Sequence, residues 1–198
     1  MFPMNKTHLF KFFFSLILII GGGLGLYFYF NVRAYPVAIV NSAGMISADE
    51  FEKGYQGVVH YYRAAVKTYA KDSGPKELTE ADLQELRRAV LDSLIENKII
   101  AAELERRVGG EMSSLISQKI AQVGVDTAKL APAAEALYGF KFEDFKNLIL
   151  DPQARREILA EKFAAEKKDF GAWLKEQRLS SSVVILNGLS WKEGRVSN

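Results

Sequence analysis

The 198-residue sequence contains no cysteine, only two histidines and only five prolines. Without cysteine the chain forms neither a disulfide nor a thiolate metal site, so an apolar core has to hold the fold together. No Walker motif is present, which argues against nucleotide use. The histidines are His8 and His60, and no Ser, Cys or acidic residue stands at a spacing that would make His60 a general base. The sequence therefore predicts no catalytic residue, no metal site and no cofactor.

The chain also lacks an excess of basic residues beyond its N-terminus. It has 26 Lys and Arg against 24 Asp and Glu. Three of the cations, Lys6, Lys11 and Arg33, lie in the first 34 residues, so the remainder carries 23 basic and 24 acidic residues. Because a nucleic-acid interface normally shows clustered positive charge, no nucleic-acid partner is expected.

Residues 12–30 lack charged residues altogether. These 19 residues are enough to span the ~30 Å hydrocarbon core of a bilayer at about 1.5 Å per residue. Lys6 and Lys11 precede the run, and the positive-inside rule then places the N-terminus in the cytoplasm. We expect a single-pass protein of the cell membrane, in which residues 1–34 form a cytoplasmic tip and signal anchor and residues 35–198 form an extracytoplasmic domain. A cleaved signal peptide is the alternative, although its apolar region would run only about 7–15 residues.

Two glycines in the predicted anchor, Gly21 and Gly25, stand in G-x-x-x-G spacing. This spacing lets two membrane helices approach each other closely. Glycine is common in membrane helices, so a homodimer through Gly21 and Gly25 is one arrangement that the sequence allows.

Beyond the anchor the pattern is mainly helical, with a short β-branched segment near each end of the domain. Ser47 and Glu50 form a capping box that predicts a helix from Ala48, and Thr79 is a typical N-cap for the next helix. Helices are predicted from Ala48 to before residue 71, from Thr79 to Gly109, over 112–123, 127–137 and 142–150, and as one long helix from Pro152 to Leu179.

The two β-branched segments are Val37 to Asn41 and Val183 to Asn187. A lone strand exposes unpaired backbone groups, and each segment is the best partner that the other has. We therefore predict a small two-stranded sheet that joins the N- and C-terminal strands and closes the helical body. Such a ribbon is marginal alone, so it must pack on the helices.

The order of these elements resembles the N-terminal chaperone domain of the SurA, PrsA and PpiD group. The resemblance is carried by VAIVNSAGMISADEF (37–51), VLDSLIENKIIAAELERRVG (90–109), LYGFKFEDFKNLIL (137–150) and WLKEQRLSSSVVIL (173–186). It implies a grooved helical body that binds unfolded, aromatic-rich polypeptides without ATP.

The chain departs from this group in one respect. Many relatives carry a parvulin isomerase domain between the region matching Leu148 and the final helix, whereas here Pro152 to Leu179 reads as one helix. The resemblance also implies histidines in a parvulin site, and only His8 and His60 are present. We therefore expect no isomerase activity and no enzyme.

Five aromatic residues are predicted to bind peptide. Tyr61 and Tyr62 are adjacent and cannot both face the core, so this pair and Tyr55 are the best candidates for exposed rings. Tyr138 and Phe140 complete the set, while most other aromatic residues are expected in the core.

Three functions remain open at this point. The first is a membrane-anchored, ATP-independent helper that holds unfolded or exported polypeptides in an apolar groove. The second is a structural or scaffolding subunit of an envelope or membrane complex that grips one fixed partner. The third is an envelope hydrolase, because the 24 acidic residues offer carboxylate pairs whose separation the sequence does not reveal.

Overall fold

A computed structural model of the chain describes residues 35–69, 77–122 and 127–197. All contacts discussed below lie within the unit Pro36–Asn198. The predicted anchor, residues 12–30 with Gly21 and Gly25, lies outside the described residues. Of the helices in the described ranges, none combines the length and the apolar character that crossing a membrane requires.

Seven helices and five short strands make up the described part of the chain, so the prediction of a mainly helical fold is confirmed. In chain order the elements are β1 Pro36–Val40, β2 Gly44–Ser47, α1 Ala48–Tyr69, α2 Glu80–Val108, α3 Met112–Gln122, α4 Thr127–Tyr138, α5 Phe142–Phe145, α6 Asp151–Ala165, α7 Phe170–Ser180, β3 Val183–Ile185, β4 Ser190–Lys192 and β5 Arg195–Ser197. A 3₁₀ turn, Gly109–Glu111, joins α2 to α3, and a π-helical turn, Lys146–Leu150, joins α5 to α6.

The starts of the two longest helices follow their predicted caps. The amide of Glu50 donates to Ser47 Oγ (3.1 Å), and α1 begins at Ala48. Thr79 and Asp82 form a reciprocal capping box at the start of α2. At the other end of α2, Gly109 takes a positive φ of 54°, which glycine adopts at low cost.

The predicted pairing of the two chain ends is confirmed, because β1 and β3 are antiparallel neighbours with Ile39 opposite Val184. The sheet nevertheless has three strands and not two, in the order β2, β1, β3. The chain reverses sharply at Ser42 and Gly44, both with positive φ, and returns along β1 as β2. The sequence did not indicate β2, because it is only four residues long and leads directly into a helix cap.

The prediction of one long helix from Pro152 to Leu179 is wrong. The turn at residues 166–169 interrupts it and separates α6 from α7. Lys167 takes a left-handed conformation (φ 56°), and the amide of Lys168 returns to the carbonyl of Phe163 (2.9 Å). This is the pattern of a Schellman helix end. Asp169 then caps α7 by accepting from the amide of Ala172 (2.9 Å). The apolar spacing continues across this four-residue turn, which explains the error.

The apolar core has two parts. The larger one is centred on α2 and α6 and includes Leu91, Ile95 and Leu159, which are fully buried. The smaller one lies in the segment 127–150 and is built around Ala134, Phe140 and Phe145. The segment from α4 to the π-helical turn therefore packs on its own small core beside α1.

Candidate functional site

An open cleft lies where the smaller core meets α1 and α2. Its volume is about 190 Å³, and charged residues are absent from its lining. The lining residues are Gly54, Gly57 and Val58 of α1, Ala89, Val90, Ser93, Leu94 and Asn97 of α2, and Tyr138, Phe140, Leu148 and Ile149 of the segment 127–150. The cleft can therefore bury apolar groups of a partner, while Ser93 and Asn97 offer hydrogen bonds.

Two glycines on α1 shape one wall of this cleft. Gly54 and Gly57 are three residues apart and so lie on the same face of the helix. A Cβ atom at Gly57 would lie 2.1 Å from Cζ of Phe140, and one at Gly54 would lie 3.2 Å from Cγ1 of Val90. The Phe140 ring therefore rests directly on the backbone of α1, which only glycine permits.

An aromatic ladder, defined as Tyr61, Tyr138, Phe140 and Phe145, leads from the surface into the smaller core. The ring centroids of Tyr61 and Tyr138 are 5.2 Å apart, and those of Tyr138 and Phe140 are 5.8 Å apart, both nearly parallel. Phe145 lies 5.6 Å from Tyr138 on the buried side. Burial raises the pKa of the Tyr138 hydroxyl, and the neighbouring Tyr61 raises it further. The Tyr138 hydroxyl is therefore uncharged at neutral pH.

Polar contacts fix the ladder against α1. The Nδ1 atom of His60 lies 3.1 Å from the carbonyl oxygen of Leu137, and since a carbonyl only accepts, Nδ1 donates. Gly139, with a φ of 68°, ends α4 and turns the chain next to the His60 ring. Lys53 pairs with Asp144 (3.1 Å) on the opposite side of the same segment. His60 thus has a structural role, as a hydrogen-bonded histidine.

The structure places the five residues that were predicted to bind peptide in different environments. Tyr61 is 45% exposed and Tyr62 is exposed as well, so their predicted exposure is confirmed, while peptide binding by these rings stays a prediction. Tyr138 and Phe140 line the cleft, although the Phe140 side chain is largely buried against α1.

The prediction that Tyr55 is exposed is wrong. Tyr55 is 5% exposed, its ring stacks on that of Phe51 (6.5 Å), and the guanidinium of Arg87 covers it at 4.3 Å. Tyr55 lies on the same stripe of α1 as Phe51 and Val59, four residues away on either side, and this stripe faces the core. The contact with Arg87 comes from another helix, so the sequence alone did not reveal it.

Sequence reasoning also missed the polar and glycine residues of the cleft. Gly54 and Gly57 carry a detectable signal, because glycine inside a helix costs about 1 kcal/mol relative to alanine and usually has a packing reason. Ser93 and Asn97 are four residues apart on α2, but nothing in their spacing distinguishes a cleft from an ordinary solvated face.

The sequence profile of the SurA-like N-terminal domain family matches residues 2–128. The chain belongs to this family. It is a family of chaperone-like domains. Neither the curated proteins nor the solved structures contain a match to the chain. The matched range includes β1, β2 and helices α1 to α3, whereas the ladder residues Tyr138 and Phe140 and the closing strand β3 follow it.

The SurA-like chain has a second apolar cleft of about 410 Å³, where the segment 127–150 meets α3 and α6. Ile120, Leu130 and Phe142 line it, and its rim carries Lys119 paired with Glu157 (3.7 Å). Consecutive residues of the π-helical turn therefore face different clefts, Ile149 the first and Leu150 the second. The described ranges contain no cluster of His, Asp and Glu side chains able to hold a metal ion.

Proposed function

We propose that this SurA-like chain is a membrane-anchored, ATP-independent chaperone-like protein that holds unfolded or exported polypeptides without isomerase activity. The observation that carries the proposal is the open, uncharged cleft beside the half-exposed aromatic ladder. Sites for small molecules usually measure about 300–1,000 Å³. At about 190 Å³ the first cleft suits a single large apolar side chain. Binding one side chain at a time gives weak and promiscuous affinity, as a holder of varied clients requires.

The ladder extends this surface beyond the cleft. Tyr61, Tyr62 and Leu137 are exposed around the point where α1 meets the end of α4. Aromatic rings offer large contact area at a low cost in side-chain entropy, and tyrosine hydroxyls add hydrogen bonds. Client segments can therefore run from the ladder into the cleft.

The remaining parts of the proposal rest on the sequence and on the continuity of the helices. Residues 12–30 anchor the chain, with the N-terminus cytoplasmic and the domain extracytoplasmic, and Gly21 with Gly25 can join two anchors. Between Phe142 and Ser180 the chain is helical except for a turn at residues 166–169, and this continuity supports the proposal that the chain has no isomerase activity.

The test uses the full chain in lipid nanodiscs and several unrelated, chemically unfolded proteins whose aggregation is followed by light scattering. Ser93→Glu places a carboxylate at the cleft, where a bound apolar side chain would have to desolvate it. Gln84→Glu makes the same charge change on an exposed part of α2 outside the cleft.

We expect the natural chain and Gln84→Glu to suppress aggregation of all clients, and Ser93→Glu to bind them about tenfold more weakly, a difference of ~1.4 kcal/mol. Equal suppression by both variants would remove the cleft from the binding site. Tight binding of one envelope protein without general suppression would instead favour the scaffolding subunit.

A further inference from the structure

The three-stranded sheet has an apolar face that no described part of the chain covers. Ile39 of β1 lies opposite Met45 of β2 and Val184 of β3, so the three side chains form a row across the sheet. Met45 is 60% exposed and Val184 is 52% exposed. Leu186, two residues beyond Val184, is exposed as well. These four residues are called the exposed sheet face below.

The sheet has the composition of one that is covered on both faces. Its other face, with Ala38, Val40 and Ile46, is fully buried against the helices. Residues 35–47 and 179–191 contain no charged residue, although a quarter of the whole chain is charged. Edge strands that face water normally carry charged residues, which prevent association with other chains. A strand with near-continuous apolar sequence, such as β1, is typical of burial on both sides.

The position of the exposed sheet face in the chain indicates what covers it. Only five residues, Asn31 to Tyr35, separate the predicted anchor from Pro36. At about 3.3–3.6 Å per residue they reach at most ~18 Å, while the headgroup layer on each side of a bilayer is several ångströms thick. Tyr35, the residue directly before β1 in the chain, is exposed, and tyrosine favours the membrane interface.

From these observations we infer that the exposed sheet face docks on the polar–apolar boundary of the lipid bilayer. The inference rests on the anchoring part of the proposed function but not on client binding. Burial of Ile39, Met45, Val184 and Leu186 in the interface holds the sheet at the membrane. The cleft lies on other elements, between α1, α2 and the segment 138–149, so docking leaves it free for clients.

The absence of native cysteine makes the test direct, because one introduced cysteine carries one label. Met45→Cys and Val184→Cys place a fluorophore on the exposed sheet face, and Gln84→Cys places it on an exposed position of α2 as the control. The full chain is reconstituted in phosphatidylcholine vesicles that contain lipid with a nitroxide near the carbonyl end of its acyl chain. Flotation of the vesicles shows separately whether the chain is anchored.

We expect quenching at positions 45 and 184 to be at least about twofold stronger than at position 84, as for side chains buried at the headgroup boundary.

If the chain floats with the vesicles but positions 45 and 184 are quenched no more than position 84, docking is refuted and the proposed function stands. Energy transfer between labels on two copies, without lipid quenching, would assign the face to a second copy and also refute docking. A chain that does not float refutes both anchoring and docking, while aggregation suppression tests client binding independently.

Discussion

The single hydrogen that Gly57 carries in place of a side chain determines where the Phe140 ring lies. In an ordinary helix interior Gly→Ala stabilises by about 1 kcal/mol. At position 57 the added methyl would stand 2.1 Å from Phe140 Cζ, so either the ring or α1 must shift. Overpacking of this kind typically costs about 1–3 kcal/mol.

We therefore predict that Gly57→Ala lowers the free energy of unfolding by up to about 2 kcal/mol, because the overpacking cost exceeds or cancels the helix gain, measured by urea denaturation. It should also weaken client binding, because a displaced Phe140 changes the cleft. Gly110→Ala is the matched control, since a Cβ there meets no heavy atom within 4 Å. A Gly57→Ala protein more stable than the natural chain by about 1 kcal/mol, the gain at an unobstructed helix position, would mean that Phe140 does not rest on α1.

Tyr138 is the central ring of the ladder, and the burial of its hydroxyl should be visible when the tyrosines are titrated. Desolvation raises the pKa of the Tyr138 hydroxyl and the nearby Tyr61 adds to the shift, so Tyr138 should ionise above the usual tyrosine value of about 10. We predict that a spectrophotometric alkaline titration of the folded chain contains a late tyrosine step, and that Tyr138→Phe removes it. Tyr62→Phe is the control, because Tyr62 is exposed and its ring stacks on none of the described rings. If Tyr62→Phe removed the late step and Tyr138→Phe did not, the placement of Tyr138 would be contradicted.

At the scale of the elements, an ion-pair network ties the end of α2 to the turn between α6 and α7. Arg107 donates to Glu103 (2.6 Å) and to Glu166 (2.5 Å), and its guanidinium lies 4.4 Å from the centre of the Phe163 ring. Arg106 also pairs with Glu103 (2.7 Å). The hydrogen bond from Arg106 is the main cause of the lowered pKa of Glu103; desolvation opposes it, and the hydrogen bond from Arg107 adds to the lowering.

This network predicts a pH-dependent contribution to stability. Because the pKa of Glu103 is lower in the folded chain than in the unfolded one, its stabilisation is complete above the unfolded value of about 4.3 and is lost as the pH falls through the folded pKa. We expect Glu103→Gln to be less stable than the natural chain at pH 7, and the difference to shrink in thermal unfolding below about pH 4. Glu105→Gln, at an exposed position on the same helix, should leave stability unchanged at both pH values. If the stability difference between Glu103→Gln and the natural chain grew in acid, the pKa shift of Glu103 would have the opposite sign and the network would be refuted.

Elements with local signals were predictable from sequence, and elements that depend on distant partners were not. Ser47 and Thr79 cap their helices with residues three positions away, so the starts of α1 and α2 follow from short-range chemistry. The turn at residues 166–169 was missed, because Phe163 and Phe170 keep helical apolar spacing across it and their rings pack together (5.9 Å). In the candidate site, exposure of the adjacent Tyr61 and Tyr62 followed from geometry, whereas the cleft required contacts between three separate elements.

At the scale of the whole molecule, the C-terminal segment of the domain is joined to the rest of the fold at two places. The first junction is the β1–β3 pairing. The second is Arg178 of α7, which donates to Asp92 (2.6 Å) and Glu96 (2.5 Å) of α2 and to the carbonyl of Gly194 (2.9 Å) between β4 and β5. The other carboxylate oxygen of Asp92 accepts from the amide of Val196 (3.0 Å). The C-terminal hairpin is thereby held on the same helix that carries one wall of the cleft.

If these junctions make the domain one cooperative unit, loosening β1 should also loosen β3. Asn41 donates its amide to Ser182 (2.9 Å), and Leu186 donates to Val37 (2.8 Å). By antiparallel alternation Ile39 and Val184 form the hydrogen-bonded pair midway between these two bonds. Proline at position 39 has no amide hydrogen, so it removes the hydrogen bond that residue 39 donates to Val184. Position 39 lies in the central strand of the sheet, where proline is not tolerated.

We predict that Ile39→Pro lowers the free energy of unfolding by about 3 kcal/mol or more and that hydrogen exchange accelerates together in β1, β2 and β3. Ile39→Thr is the control, because it keeps the amide donor and the β-branched shape and should change stability by less than about 1 kcal/mol. Mass-spectrometric exchange of peptides covering residues 36–47 and 182–186 checks both. If β3 kept its protection while β1 lost it, the two strands would be held independently, and the β1–β3 pairing would not be what joins the N- and C-terminal parts of the domain.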